Sequence, residues 1–149
     1  SLFANRMLDS HILELAGYDL KETLKKPNWK DIVKQNKDKY FKQAWELTLN
    51  EIAYVAERLD KNPNVDLIVG SIRSPEDIYR IAKAEPQVIT IPTAIVKGLE
   101  NILILKQTQR TIKPENVVIG DSLQHPMTSY TLQEFEDSAD KYRKVLKTL

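Results

Sequence analysis

The sequence predicts an α/β protein in which short parallel strands alternate with amphipathic helices. Val65–Ile72 is an apolar run, rich in β-branched residues and too short for a helix, which indicates a buried strand. Ser74–Asp77 then combines a helix-capping serine, a proline suited to the first helical position and two acidic residues. A second short apolar run, Gln87–Ile91, follows that helix. The order strand, helix, strand is typical of a crossover unit that builds a parallel sheet.

The residues before this unit predict one more strand and two helices. Met7–Ala16 predicts a short helix that ends at Gly17, and Lys39–Asp60 predicts a long helix with an apolar stripe. Residues 18–38 between them are polar and rich in lysine. Trp29, Ile32 and Val33 are placed to anchor one helical turn against the core, and the lysines are most simply a solvated face. Ser1–Arg6 is the remaining strand, so the predicted strands lie near residues 1–6, 65–71 and 87–91.

The residues after the unit predict helices and one further apolar segment. Thr93–Leu105 has a helical pattern, and Val117–Gly120 is a short apolar run that a strand outside the main sheet would explain. A C-terminal helix is predicted over residues 130–147, started either by a capping box at Thr131 or by Thr128. This helix carries a clear apolar stripe: Leu132, Phe135, Ala139, Tyr142, Leu146 and Leu149.

Composition narrows the classes of function. The chain has 149 residues and a formal net charge of +1, so we expect one domain, residues 1–149, that binds neither nucleic acid nor a membrane surface. With no cysteine and only two histidines, neither a metal site nor a cofactor is expected. No apolar run approaches the roughly 20 residues that span a bilayer, and a soluble cytoplasmic protein is the default expectation.

Two polar residues interrupt the apolar run at the end of the Val65–Ile72 strand. Ser71 and Arg73 stand where ligands of parallel α/β sheets bind, beyond the carboxyl ends of the strands. A hydroxyl, a guanidinium and the N–H groups of a helix start suit a phosphate group. The alternative is that Arg73 pairs with Glu76 or Asp77 at the helix start, and the pattern alone favours neither interpretation.

Four short motifs together resemble the transaldolase family, which includes the fructose-6-phosphate aldolases. Residues 70–78, GSIRSPEDI, resemble the end of the family's seventh strand and the helix after it. Residues 88–92, VITIP, resemble its last strand. Its sixth strand, with serine, phenylalanine and arginine at set positions, resembles Ser1–Arg6. Its His-Pro-Leu-Thr element before the C-terminal helix resembles His125–Thr128. The motifs occur in the family's order and span most of the chain outside residues 13–45.

The resemblance implies the C-terminal part of a (β/α)8 TIM barrel, with about three parallel strands and their flanking helices. It implies a parent enzyme that cleaves or transfers a sugar phosphate through a Schiff base with a lysine on the fourth strand. No lysine lies in the predicted strands here, and Lys83, Lys97 and Lys106 fall on amphipathic helices. We therefore expect no catalytic residue in this chain, which alone would be inactive.

The residues that the resemblance assigns are those that hold the substrate. Arg6, Ser71 and Arg73 match phosphate-binding positions, and Ser1 and Phe3 match residues that line the substrate pocket. Arg6 has the opposite strand parity from Ser1 and Phe3, so it would act from the loop after its strand.

Two departures and several alternatives accompany this assignment. Leu2 stands where the family usually has proline, and Asn5 stands where it usually has glycine, so the local loop geometry differs. The arginines could instead pair with nearby acids such as Asp9 and Glu76. The alternative functions are a non-catalytic sugar-phosphate-binding module and a structural or interaction protein.

The resemblance also bears on assembly. The sequence would begin partway through a barrel, and three parallel strands leave two open edges and an uncovered sheet face. We therefore expect a homo-oligomer or association with the missing N-terminal half, with a sugar phosphate as the substrate.

Overall fold

Three short parallel strands form a single sheet in this protein. The computed structural model describes residues 1–62, 64–96, 99, 112, 114 and 125–146, with residues 140–146 described by their backbone alone. The strands are β1 (Leu2–Phe3), β2 (Ile68–Gly70) and β3 (Val88–Ile89), in the order β1-β2-β3. Leu2 pairs with Val69 and Ile68 pairs with Val88, both in parallel register. The predicted α/β class and parallel arrangement are confirmed, with each strand shorter than expected.

Helices make up most of the described chain. α1 begins at Ala4, which shortens the predicted first strand, because Ala4, Leu8 and Ile12 recur at helical spacing and are all buried. α3 begins well before the predicted Lys39, because Trp29 and Val33, one turn apart, are buried and hold its first turns. The helices are α1 (Ala4–Leu15), α2 (Leu20–Thr23), α3 (Trp29–Leu59), α4 (Pro75–Ala82), α5 (Thr93–Val96) and α6 (Pro126–Leu146).

The two faces of the sheet differ in their surroundings. On one face Leu67 and Val69 are buried and belong to the hydrophobic core that includes α1, α3 and α4. On the other face Ile68 and Val88 are 41 % and 40 % exposed. Gly70 has the same strand parity as Ile68, and a Cβ added to it would lie 3.7 Å from the ring of Phe3. We call this second side, which carries Phe3, Ile68, Gly70 and Val88, the open face.

The start of α4 has the capping geometry that the sequence predicts. The Ser74 hydroxyl accepts from the Asp77 backbone N–H at 3.3 Å, and the Asp77 carboxylate accepts from the Ser74 backbone N–H at 3.1 Å. Pro75 occupies the first helical position, where its missing N–H costs nothing. The helix therefore begins at a fixed point directly behind the end of β2.

The start of α6 differs from the prediction. The helix begins at Pro126, and the His125 Nδ1 atom accepts from the Met127 backbone N–H at 3.2 Å. Thr131 lies inside the helix instead of capping it, and its hydroxyl donates to the Met127 carbonyl oxygen at 2.8 Å. The cap is thus an imidazole nitrogen, an acceptor outside the usual set of capping side chains.

Some predictions fall outside the part of the chain that the structure describes. They concern the Val117–Gly120 segment and most of the helix predicted over Thr93–Leu105, of which α5 is the described part. Among the described residues, none of the helices combines the length and the apolar character needed to cross a bilayer.

Candidate functional site

The carboxyl ends of β1 and β2 are joined by a buried asparagine. Asn5, in the first turn of α1, donates from Nδ2 to the Ser71 carbonyl oxygen at 2.7 Å and to the Asp77 carboxylate at 2.8 Å. Its side chain is buried, so these bonds satisfy a group that has no access to water. Asn5 therefore ties the start of α1 to the loop after β2, and sequence reasoning noted it only as a departure from the family pattern.

Ser71 marks the point at which strand geometry stops. Its φ of 61° lies in the left-handed region, which few non-glycine residues adopt. Strand alternation therefore ends at Gly70, so it does not place Ser71 and Arg73 on one strand face. The Ser71 carbonyl oxygen is directed to Asn5, and its side chain is half-buried beside the candidate site.

Asp77 organises the loop between β2 and α4. Its Oδ2 atom accepts from Asn5 and from the backbone N–H groups of Arg73 and Ser74, at 2.8, 3.0 and 3.1 Å. Its Oδ1 atom lies 3.4 Å from Nη1 of Arg80. The N–H groups of Arg73 and Ser74 are thus already bonded to a carboxylate of the chain, and that of Asp77 is bonded to Ser74. An anion at this loop would therefore be held mainly by side chains.

Arg73 makes a bidentate ion pair with Asp9 of α1. The Nη1–Oδ1 and Nη2–Oδ2 distances are 2.8 and 2.5 Å. Hydrogen bonding to Asp9 outweighs partial burial and raises the pKa of Arg73 above its ordinary value. The Asp9 side chain is 5 % exposed and that of Arg73 is 48 % exposed. The sequence offered an acid partner as the alternative to a phosphate, but it suggested Glu76 or Asp77 for Arg73; the partner is Asp9, and Glu76 is exposed on α4.

Arg6 pairs with a residue of α6 that sequence reasoning missed. Its Nη2 atom donates to the Glu134 carboxylate, and its guanidinium lies 5.6 Å from the ring centre of Tyr130. The Tyr130 hydroxyl donates to the same carboxylate at 2.8 Å, and Nζ of Lys30 lies 3.7 Å from it. Nη1 of Arg6 is buried and has no hydrogen-bond partner among the described residues. Arg6 therefore keeps one enclosed donor that no described residue uses.

The two predicted pocket residues lie at the first strand. Ser1 is exposed just before β1, and the Phe3 ring contacts Phe135 of α6 edge-on, with centroids 5.8 Å apart. Phe3 belongs to the open face, so both residues are accessible from the side of the sheet that the helical core does not cover.

The described lysines offer no nucleophile. All of them are exposed and none lies on a strand: Lys21, Lys25, Lys26, Lys30, Lys34, Lys37, Lys39, Lys42, Lys61 and Lys83. A lysine needs desolvation to be neutral and nucleophilic near pH 7. In the same residues, no group of three or more histidine, aspartate or glutamate side chains is arranged to hold a metal ion.

His11 forms a separate charged cluster between α1 and α3. Its Nδ1 atom lies 3.4 Å from Glu14, and its Nε2 atom lies 3.2 Å from Glu51 in an ion-pair contact without hydrogen-bond alignment. Burial lowers the pKa of the imidazole, but the close carboxylates of Glu14 and Glu51 outweigh it and raise the pKa to about 9. The cluster therefore joins the two helices through a charged histidine at neutral pH.

Comparisons of the chain with known protein families, with curated proteins and with solved structures find no match.

Proposed function

We propose that the chain is the sugar-phosphate-binding C-terminal part of a transaldolase- or aldolase-like enzyme. The observation that carries the proposal is the parallel order β1-β2-β3, which follows the chain and brings the two arginine-bearing segments to adjacent strand ends. Arg6 lies in the first turn of α1, which follows β1, instead of in a loop, and Ser71 and Arg73 lie within three residues of the end of β2. Ligands of parallel α/β sheets bind at such ends. In this proposal the sheet is a section of a (β/α)8 barrel.

Both arginines retain donors for an anion despite their internal partners. A guanidinium has five N–H donors, and Asp9 takes two of those of Arg73, whose side chain remains about half exposed. Nη1 of Arg6, which is enclosed, has no hydrogen-bond partner among the described residues. A phosphate group can accept from both without breaking the Arg73–Asp9 pair. Such charge-assisted hydrogen bonds are among the stronger ones in proteins.

The proposal divides the chemistry between this chain and residues outside it. The Schiff-base lysine is assigned outside the chain, because every lysine whose side chain the structure describes is exposed on a helix or in a loop. The chain contributes substrate binding, and the complete enzyme acts as an aldolase or a transaldolase. Borohydride trapping with fructose 6-phosphate followed by mass spectrometry is expected to yield no adduct on this chain, and a stable lysine adduct would contradict this division.

The test compares the binding of fructose 6-phosphate and fructose by calorimetry. Arg73→Ala and Arg6→Ala are each expected to weaken binding of the phosphorylated sugar by about tenfold or more, because each loses charge-assisted bonds, and to affect fructose less. Arg58→Ala is the control, since Arg58 lies over Tyr54 near the far end of α3. Equal losses for both sugars would contradict the phosphate assignment.

A second candidate function is an interaction module without a phosphate site. One observation favours it: Arg6 and Arg73 are each paired with a carboxylate of the chain itself. On this alternative Arg73→Ala lowers stability, and the wild-type chain gives no calorimetric signal with either sugar.

A further inference from the structure

In its described part, α6 contacts the rest of the chain through apolar and polar side chains. Met127 and Thr131 are buried there, and the Tyr130 ring lies edge-on to Trp29 with centroids 5.3 Å apart. Leu132 and Phe135 of the predicted apolar stripe are 55 % and 54 % exposed, so this part of the stripe is largely uncovered. Because these two side chains bury little apolar surface, the polar contacts of α6 contribute to its docking.

The main polar contact of α6 is the Glu134 carboxylate. It accepts from Arg6 and Tyr130 and lies near Lys30, so two cations and a hydroxyl surround it. A carboxylate and a phosphate group use the same guanidinium donors in the same way. Glu134 therefore stands at Arg6 where an external anion would bind.

We propose that Glu134 is an internal competitor for the Arg6 guanidinium, so that anion binding and the docking of α6 oppose each other. This inference rests on the proposed function, since it requires Arg6 to bind the phosphate group. The Arg73–Asp9 pair has no such role, because the buried Asp9 cannot leave Arg73 without becoming a buried unpaired charge. Since coupling between two binding events is reciprocal, weakening the Glu134 contact strengthens anion binding, and a bound anion loosens α6.

The first experiment measures the affinity for inorganic phosphate. Glu134→Gln keeps the size of the side chain and removes its charge, and we expect roughly fivefold tighter phosphate binding, in line with the modest worth of a partly exposed ion pair. Tyr130→Phe removes one donor to Glu134 and is expected to tighten binding to a smaller extent. Glu136→Gln, an exposed glutamate on the same helix, is the control and is expected to leave affinity unchanged.

The second experiment follows hydrogen exchange of the α6 amides. Saturating phosphate is expected to speed exchange in the wild-type helix by several-fold, while Glu134→Gln speeds it without phosphate. Unchanged affinity in Glu134→Gln together with unchanged exchange on phosphate binding would overturn the competition and leave the proposed function standing. Absence of phosphate binding in both proteins would overturn the proposed function and this inference together.

Discussion

At the scale of single residues, the buried acids explain how the loops after β1 and β2 are held. Asp9 and Asp77 are almost fully buried, and each accepts from a side chain that is distant in sequence, Arg73 for Asp9 and Asn5 for Asp77. Burial of a carboxylate is tolerated only when such donors compensate for lost hydration. These two acids are therefore the points at which a single substitution has the largest expected effect near the site.

Asp9→Asn is expected to lower the free energy of unfolding by about 2 kcal/mol, because it removes the charge that the Arg73 fork binds. The measurement is urea denaturation followed by circular dichroism. Glu76→Gln, an exposed acid at the start of α4, is the control and is expected to change stability by less than about 0.5 kcal/mol. Equal stability of Asp9→Asn and the wild type would show that the ion pair does not stabilise the fold.

His11 is expected to make stability depend on pH. Its pKa of about 9 in the folded protein lies above the ordinary value of 6.5, so the charged cluster stabilises the fold fully below pH 6.5. This contribution, about 3 kcal/mol at most, is lost as the pH rises from 6.5 to 9. Urea denaturation across this range is expected to show a loss of unfolding free energy in the wild type that is absent in His11→Gln. Parallel pH profiles of the unfolding free energy in the two proteins would contradict the charged state of His11.

At the scale of elements, helix starts are specified by different kinds of local signal. The start of α4 depends on residues next to one another in sequence, Ser74, Pro75 and Asp77, and it was predicted. The start of α6 depends on an imidazole whose acceptor nitrogen faces the helix, which no capping rule anticipates. Capping that follows from local chemistry is therefore predictable, and capping by an unusual side chain is not.

Ser74→Ala is expected to destabilise the protein by about 1 kcal/mol, because the Asp77 backbone N–H loses its side-chain acceptor and keeps only the Ser74 carbonyl oxygen. The measurement is the shift in the urea midpoint at constant slope. Ser129→Ala is a matched control, since Ser129 is exposed in the first turns of α6. An equally small shift of the urea midpoint in both variants would show that the Ser74 cap does not stabilise α4.

At the scale of the whole molecule, the open face is the feature that most needs a partner. Ile68, Val88 and Phe135 are each exposed by 40 % or more of their surface on or beside this face. Contiguous exposed apolar side chains on a sheet are typical of an interface. We propose that the open face is covered by a second copy or by the complementary part of the enzyme.

The isolated chain is therefore expected to form an oligomer, measured by light scattering coupled to size-exclusion chromatography. Val88→Lys is expected to shift it toward the monomer, because a charge on this face opposes burial. Leu47→Lys, on an exposed position of α3, serves as the control. A stable, folded monomer in the wild type would contradict the proposed interface.

Prediction from the sequence succeeded for features set by neighbouring residues. The Val65–Ile72 run, the Ser74 cap and the Gln87–Ile91 run established β2, α4, β3 and their parallel order. The weaker predictions concerned the ends of elements, such as the starts of α1 and α3. At those ends burial of Ala4 and Trp29 in the tertiary structure extended helices into one segment whose local pattern indicated a strand and another that indicated a single helical turn.

The sequence by itself determined the α/β class, the three strands and the capped helix behind β2, because hydrophobic period and capping chemistry act over a few residues. The tertiary structure decided the partners of the arginines. Asp9 lies 64 positions from Arg73 and Glu134 lies 128 positions from Arg6, and both acids are brought into contact by helix packing. An arginine pairs with whichever carboxylate helix packing brings within reach. Its partner therefore follows from the fold and not from its neighbours in sequence.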